Sequence, residues 1–103
     1  MDYTQLQWSM NFNESYAIFV SIDTQNGRRY LTYTPRDFNK GVNGEYLGYG
    51  LGSNTMEGGW QTFTRNIAQD LIEMEPENAL LRINTLMVRG SGEIDDISLL
   101  LSN

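Results

Sequence analysis

The chain of 103 residues carries thirteen acidic and seven basic side chains, a net charge of −6, and its 40% of hydrophobic residues excludes a disordered tail. This acidity argues against a nucleic-acid partner, and no apolar run is long enough to span a membrane. The sequence has neither cysteine nor histidine, which excludes disulfides, thiolate metal sites and the commonest catalytic base. We therefore expect a single domain over residues 1–103 that is not an enzyme, with no catalytic residues.

The first third of the chain predicts three strands. Apolar and polar residues alternate over 5–12, which indicates a half-buried strand. Residues 16–23 are apolar at nearly every position and predict a central strand covered on both faces. An Asn-Gly pair, typical of a hairpin turn, leads to a return strand over 28–34 that ends at Pro35. That strand places three side chains on one face: Tyr30, Thr32 and Thr34.

The middle of the chain is rich in glycine. Seven of the ten glycines lie within residues 36–59, where a short strand over 45–51 is flanked by predicted loops over 36–44 and 52–59. Loops of this length in a compact domain are often functional. Alternation resumes over 60–65 and predicts another strand.

The last third predicts one helix and two strands. Asn66 is a suitable N-cap for a short helix over 67–75, and Pro76 ends it. A strand over 80–89, bent at Asn84, and a last strand over 93–101 follow. About seven strands and one short helix predict a mainly β fold, an antiparallel β-sandwich.

Several short motifs resemble those of one bacterial protein family. In chain order they are Gly59-Trp60-Gln61-Thr62-Phe63-Thr64-Arg65, Asp70-Leu71 and Gly90-Ser91-Gly92-Glu93-Ile94-Asp95-Asp96-Ile97. The pattern resembles a bacterial extracellular β-sandwich module, similar to the jelly-roll carbohydrate-binding modules, although Asn66 replaces the usual Asp and Glu93 the usual Arg. The resemblance implies a jelly-roll-like sandwich, a carbohydrate ligand and a structural calcium ion held by an aspartate of the last strand.

The resemblance also implies that N-terminal strands of the full module are absent. A sandwich that lacks a strand leaves unpaired backbone groups and an uncovered apolar strip at one edge. We therefore expect that edge to pair with a second copy, which gives a homodimer or a larger homo-oligomer. The start of the chain lacks a signal-peptide pattern, so the compartment stays open: extracellular for a piece of a larger secreted protein, cytoplasmic for a stand-alone chain.

Two carboxylates in the last strand are candidate metal ligands. Asp95 and Asp96, with Glu93 as a third ligand, predict a calcium site, since calcium prefers oxygen ligands in irregular geometry. Neighbouring residues of a regular strand point to opposite faces, so a shared site requires a distorted strand. The alternative is that these carboxylates accept hydrogen bonds from loop amides or form ion pairs with one of three arginines: Arg65, Arg82 or Arg89.

Aromatic side chains suggest a sugar-binding cleft. Sugars bind through aromatic faces, with polar side chains on their hydroxyls, and the candidates from the glycine-rich region are Tyr46, Tyr49, Trp60, Arg36, Asp37 and Asn39. We expect Trp8 in the core, as is usual for a strand tryptophan at an alternating position, and burial in the core is the alternative for Trp60. We therefore expect a non-catalytic module that binds a glycan in the 36–60 region or on a sheet face. The alternative is a small structural or assembly protein that associates through its sheet.

Overall fold

In the computed structural model, the structure is described for residues 3–36 and 41–101. Eight strands, one α-helix and one short 3-10 helix (Ser53–Met56) make up these parts of the chain. The helix, α1, spans Ile67–Met74. The strands are β1 (Tyr3–Phe12), β2 (Ala17–Thr24), β3 (Gly27–Thr34), β4 (Gly41–Asn43), β5 (Tyr46–Gly50), β6 (Gln61–Asn66), β7 (Leu80–Arg89) and β8 (Gly92–Leu101).

The strands form two sheets that pack face to face, so the chain is a β-sandwich. The small sheet has the order β6-β1-β8, and the large sheet has the order β4-β5-β3-β2-β7. The prediction of a mainly β, antiparallel β-sandwich with one short helix is confirmed. All strand pairs are antiparallel except β3 and β5, which run parallel. The reason is that β4 runs back along the edge and β5 then reverses again to insert between β3 and β4.

The short strand β4 was not predicted. Residues 41–43 lie within the stretch 36–44 that the sequence predicts to be a loop, but they pair with β5 around a turn at Gly44. Gly44 has a φ of 63°, which favours glycine. The predicted strand over 45–51 is confirmed as Tyr46–Gly50.

The predicted helix and the predicted bend in the strand over 80–89 are both confirmed. The Asn66 side chain accepts a hydrogen bond from the Gln69 amide at 3.0 Å and caps α1. The register of β7 against β2 skips Asn84, which marks a β-bulge. Within the described ranges, no helix has the length and apolarity needed to cross a membrane.

The core lies between the inner faces of the two sheets. Trp8 is fully buried, as predicted, with its ring centroid 5.7 Å from that of Tyr33 in the large sheet and 5.9 Å from that of Phe63 in the small sheet. The four apolar residues of the first alternating strand are buried together: Leu6, Trp8, Met10 and Phe12. Contact between inward-facing side chains of both sheets therefore holds the sandwich together.

The prediction that the second strand is covered on both faces is wrong for part of its outer face, where Ser21 is buried but its neighbours on that face are not. Ile18, Val20 and Ile22 point inward and are fully buried, but Phe19 and Asp23 on the other face remain partly exposed. On this outer face Phe19 contacts Tyr46 and Arg89 of the same sheet. An outward-facing surface with aromatic residues is therefore open to solvent.

Candidate functional site

An aromatic patch lies on the outer face of the large sheet. Six residues line it, of which Val88 also packs against the core. We call the surface the aromatic face and define it by the other five: Phe19, Tyr30, Tyr46, Met87 and Arg89. The Tyr30 and Tyr46 rings stack with centroids 5.1 Å apart, and the Phe19 ring meets Tyr46 edge-on at 6.5 Å. The residues surround a shallow depression of about 380 Å³.

Strand register brings these side chains together. Tyr30 of β3 lies directly opposite Tyr46 of β5, and Phe19 of β2 lies directly opposite Met87 of β7. Side chains directly opposite on neighbouring strands contact each other, so four strands contribute to one surface. The Arg89 guanidinium carbon lies 5.7 Å from the centre of the Phe19 ring and adds a positive charge at the rim.

Small residues adjoin the aromatic rings. Thr32 is paired with Gly48, and Thr34 is paired with Gly50, on the same face as Tyr30. Glycine leaves the surface of β5 without side chains at two successive outer positions, so a ligand could approach the backbone beside the Tyr46 ring. The surface beside the aromatic rings therefore has partly exposed backbone at Gly48 and Gly50 and a partly exposed Thr34, while the Thr32 hydroxyl oxygen is buried.

The structure separates two tyrosines that the sequence analysis placed in one cleft. Tyr46 belongs to the aromatic face and is 49% exposed. Tyr49 lies on the opposite face of β5, where its ring centroid is 5.8 Å from that of Tyr33 and 4.4 Å from the Arg65 guanidinium carbon. Three residues along a strand reverse the face, so Tyr46 and Tyr49 do not line the same surface.

Trp60 and Arg36 are not among the residues that line the depression of the aromatic face. Trp60 directly precedes β6 of the small sheet and is 53% exposed, so the interpretation of Trp60 as a core residue is wrong. In the described part of the chain, no ring contact joins Trp60 to Tyr46 or Tyr49. The exposed Arg36 accepts a hydrogen bond from the Gly52 amide through its carbonyl oxygen at 2.9 Å. The other two candidate ligand-binding residues, Asp37 and Asn39, lie outside the described residues.

Sequence reasoning missed two aromatic members of this surface. Phe19 lies in a continuous apolar run, which gives no signal for an exposed face. Tyr30 did carry a signal, because its alternation with Thr32 and Thr34 places all three on one face. The pairing of Tyr30 with Tyr46 depends on the parallel β3–β5 register, which the sequence does not specify.

A buried polar cluster ties the two sheets to the helix. We call it the Asp70 cluster; it consists of Asp70, Arg65 and Tyr33. Asp70 of α1 is 2% exposed and accepts two hydrogen bonds from Arg65 of β6, at 2.7 and 3.1 Å. It also accepts one from the Tyr33 hydroxyl of β3, in the other sheet. Three elements are therefore joined through a single carboxylate.

Burial and charge perturb the titration of two members of the Asp70 cluster. Burial, together with the charge and hydrogen bond of Asp70, raises the pKa of Tyr33 well above its usual value. Burial alone would lower the pKa of Arg65, but its hydrogen bond and ion pair with Asp70 outweigh this effect and raise it. Arg65 therefore stays charged and Tyr33 stays neutral at physiological pH, which suits a structural role.

The two adjacent aspartates of β8 lie in a distorted part of the strand. The register of β8 against β1 shifts here, so that Trp8 faces two residues, Asp96 and Ile97. Asp96 has a φ of 54°, and its amide donates a hydrogen bond to the Asp95 side chain at 2.8 Å. This is a β-bulge whose left-handed position is filled by aspartate, a residue that tolerates it better than most.

The structure brings no three candidate metal ligands together within the described ranges. The Asn11 side chain donates a hydrogen bond of 3.4 Å to Glu93. Arg65 and Arg82 pair with carboxylates elsewhere, and among the described residues no salt bridge joins an arginine to Asp95 or to its neighbour. The ion-pair alternative is therefore wrong. The Asp95 carboxylate does accept a hydrogen bond from a backbone amide, that of Asp96.

The bulge predicts a specific response to substitution at Asp96. We expect Asp96→Val to lower the free energy of unfolding by about 1–2 kcal/mol, because a β-branched residue is strained at positive φ. Asp96→Gly should retain full stability, since glycine adopts this φ without strain. Urea denaturation measures both. If Asp96→Val is as stable as Asp96→Gly, the bulge does not require this backbone conformation.

A comparison of the unmodified protein with Asp96→Gly tests the calcium site, which stays a prediction. Calcium bound only by the folded state raises its melting temperature. If Asp96 binds the ion, calcium will raise the melting temperature of the unmodified protein by more than it raises that of Asp96→Gly. If the melting curves with calcium and with a chelator coincide, the calcium prediction is wrong.

Comparison with known proteins gives no family assignment. No model of a known protein family matches the chain, and no curated protein shows significant similarity to it.

Proposed function

We propose that the protein is a non-catalytic carbohydrate-binding module whose ligand binds at the aromatic face. The exposed Tyr46 ring, stacked on the half-buried Tyr30 ring beside Phe19, carries the proposal. Contiguous apolar patches at a protein surface favour association with a ligand or partner. A group of adjoining aromatic side chains at the surface therefore indicates a binding function. The jelly-roll-like connectivity implied by the motif resemblance remains part of this proposal.

The chemistry of the surface suits a sugar. The C–H face of a sugar ring packs against an aromatic ring, and its hydroxyl groups need donors and acceptors nearby. The aromatic face provides the exposed Tyr46 ring with its hydroxyl. The partly exposed Thr34 lies further along β3 on the same side as Tyr30, whereas the Thr32 hydroxyl oxygen between them is buried. The depression of about 380 Å³ falls near the lower end of the size range of small-ligand sites.

Binding to immobilised polysaccharides, or to a glycan array, tests the proposal. We expect Tyr46→Ala to weaken binding about tenfold, because an aromatic contact contributes about 1–1.5 kcal/mol. Trp60→Ala is the matched control, since Trp60 has nearly the same exposure, 53% against 49%, but lies outside the aromatic face. Unchanged circular dichroism would show that both variants fold.

The two variants also distinguish the possible locations of a site. Loss of binding in Trp60→Ala but not in Tyr46→Ala would move the site to the loop before β6 and contradict the sheet-face proposal. If the unmodified protein binds no polysaccharide, the carbohydrate proposal fails altogether.

A role in assembly is the second candidate function. The observation that favours it is the side of the sandwich between β7 and β8, where apolar residues remain exposed.

A further inference from the structure

The sandwich is open on the side where β7 and β8 lie. Ile97 and Leu99 of β8 are 50% and 41% exposed, although Leu99 is paired with the buried Leu6 of β1. An apolar groove of about 210 Å³ separates these residues from Ile83 and Leu86 of β7. We call this surface the open side. The inner layer of the sandwich therefore reaches solvent here.

Both strands at the open side are sheet edges. In the described part of the chain, β7 pairs only with β2, and β8 pairs only with β1. Each strand has ten residues, and each leaves a row of unpaired N–H and C=O groups. Neither strand contains proline or lysine, but each has one β-bulge, at Asn84 in β7 and at Asp96 in β8, so pairing with another edge is regular only on either side of these positions.

The two edges carry opposite charges. The β8 strand contains Glu93, Asp95 and Asp96 and no basic residue. The β7 strand contains Arg82, which is already paired with Asp23 of β2, and Arg89, and it contains no acidic residue. An isolated β8 edge would repel a copy of itself, whereas β7 and β8 attract each other.

We propose that the open side binds a second copy of this chain, with β7 of each copy pairing with β8 of the other. This requires a two-fold axis parallel to the strands. Rotation about that axis moves the small sheet of one copy to the level of the large sheet of the other and preserves strand direction. Because β7 and β8 follow each other through a tight turn at 90–91, they run in opposite directions, and the new pairs are antiparallel.

The same rotation matches side chains as well as strands. Inner faces stay inside, so Ile97 and Leu99 of both copies close the groove. Arg89 lies at the outer face of β7 next to the turn, and Glu93 lies at the outer face of β8 on the other side of that turn. In the dimer, Arg89 of each copy therefore comes level with Glu93 of the partner subunit.

A second two-fold axis, perpendicular to the sheets, would pair β8 with β8 and β7 with β7. That arrangement brings two acidic edges together and two basic edges together, so charge favours the first arrangement. The dimer that we propose joins the small sheet of each copy to the large sheet of the other, which gives two continuous eight-stranded sheets.

The open side is large enough for a stable dimer. Ten residues at about 3.3 Å each give a length of about 33 Å. The smallest dimension of the molecule is 20 Å. The product is roughly 660 Å² per copy, or about 1,300 Å² in total, which falls within the range of specific interfaces. This inference does not depend on the carbohydrate proposal.

Sedimentation equilibrium of the full chain at micromolar concentration tests the dimer. We expect twice the monomer mass of 11.8 kDa. Ile97→Lys should halve the observed mass, because the lysine is tolerated at a half-exposed position of the monomer but not inside the closed groove. Circular dichroism and thermal melting verify that the variant folds. A monomeric mass for the unmodified protein would overturn the proposal.

Charge reversal distinguishes the two arrangements. Arg89→Glu and Glu93→Arg should each yield monomers, because each places like charges across both new strand pairs. An equimolar mixture of the two variants should restore the dimer mass, since every contact is then between opposite charges. A dimer that survives both single reversals, or a mixture that stays monomeric, would overturn the proposed pairing of β7 with β8.

Discussion

Replacement of Asp70 by alanine should lower the free energy of unfolding by about 3–5 kcal/mol. Removal of one partner from a buried ion pair is costly because the remaining charge keeps its desolvation penalty. Here the change leaves two groups without their acceptor, the Arg65 guanidinium and the Tyr33 hydroxyl. Arg65 is only 25% exposed, so water replaces the lost carboxylate incompletely.

Urea denaturation followed by circular dichroism measures this loss. Gln69→Ala is the matched control, because Gln69 precedes Asp70 on the same helix but its side chain is exposed. We expect that control to change the free energy of unfolding by less than about 0.5 kcal/mol. A similar, small effect of both substitutions would show that the Asp70 cluster does not connect the sheets to α1.

A double-mutant cycle separates the ion pair from the rest of the Asp70 cluster. Arg65→Met should lower the free energy of unfolding much less in the Asp70→Ala background than in the unmodified protein, because the charge that it removes has already lost its partner. Additive effects would contradict a direct interaction between Arg65 and Asp70.

The helix shows how far sequence patterns lead. Periodicity and the Asn66 cap predict α1 correctly, since both are local properties. Asp70 was missed as a buried residue, although it lies three residues after Ile67 and next to Leu71, both on the buried face. Its burial depends on Tyr33, which is 37 residues away and in another element. No local pattern specifies that partner.

The aromatic face shows a different limit. Alternation places Tyr30, Thr32 and Thr34 on one face of a strand, and the structure agrees. The sequence does not tell which strand lies beside them. Tyr46 reaches Tyr30 only because β5 inserts between β3 and β4, and the same insertion turns Tyr49 toward the core. Non-local pairing therefore decides which candidates share a surface.

The Gly-Ser-Gly turn between β7 and β8 has no room for a side chain at its second glycine. A Cβ atom at Gly92 would lie 2.3 Å from Cδ1 of Phe12 and 2.7 Å from the carbonyl oxygen of Asn11. The Phe12 ring is buried and stacks on Tyr16 at 4.6 Å, so it has little freedom to withdraw. Close packing against Phe12 and Asn11 therefore explains why the second glycine position of this motif, Gly92, is occupied by glycine.

We expect Gly92→Ala to lower the free energy of unfolding by about 2–3 kcal/mol, because overpacking forces either the ring or the backbone to shift. Gly44→Ala is the control for a glycine without a packing constraint. No atom lies within 4 Å of a Cβ there, although its φ of 63° is unfavourable for alanine. That control should cost about 1 kcal/mol. Thermal and urea denaturation compare the two variants.

Phe12→Leu tests whether the ring causes the loss. In the Gly92→Ala background, the smaller side chain should recover part of the stability, although the same substitution alone removes core contacts and destabilises the protein. Recovery would assign the penalty to the Phe12 ring. If Phe12→Leu only adds to the loss, the backbone oxygen of Asn11 is the obstacle, and the turn itself must move to admit a side chain at Gly92.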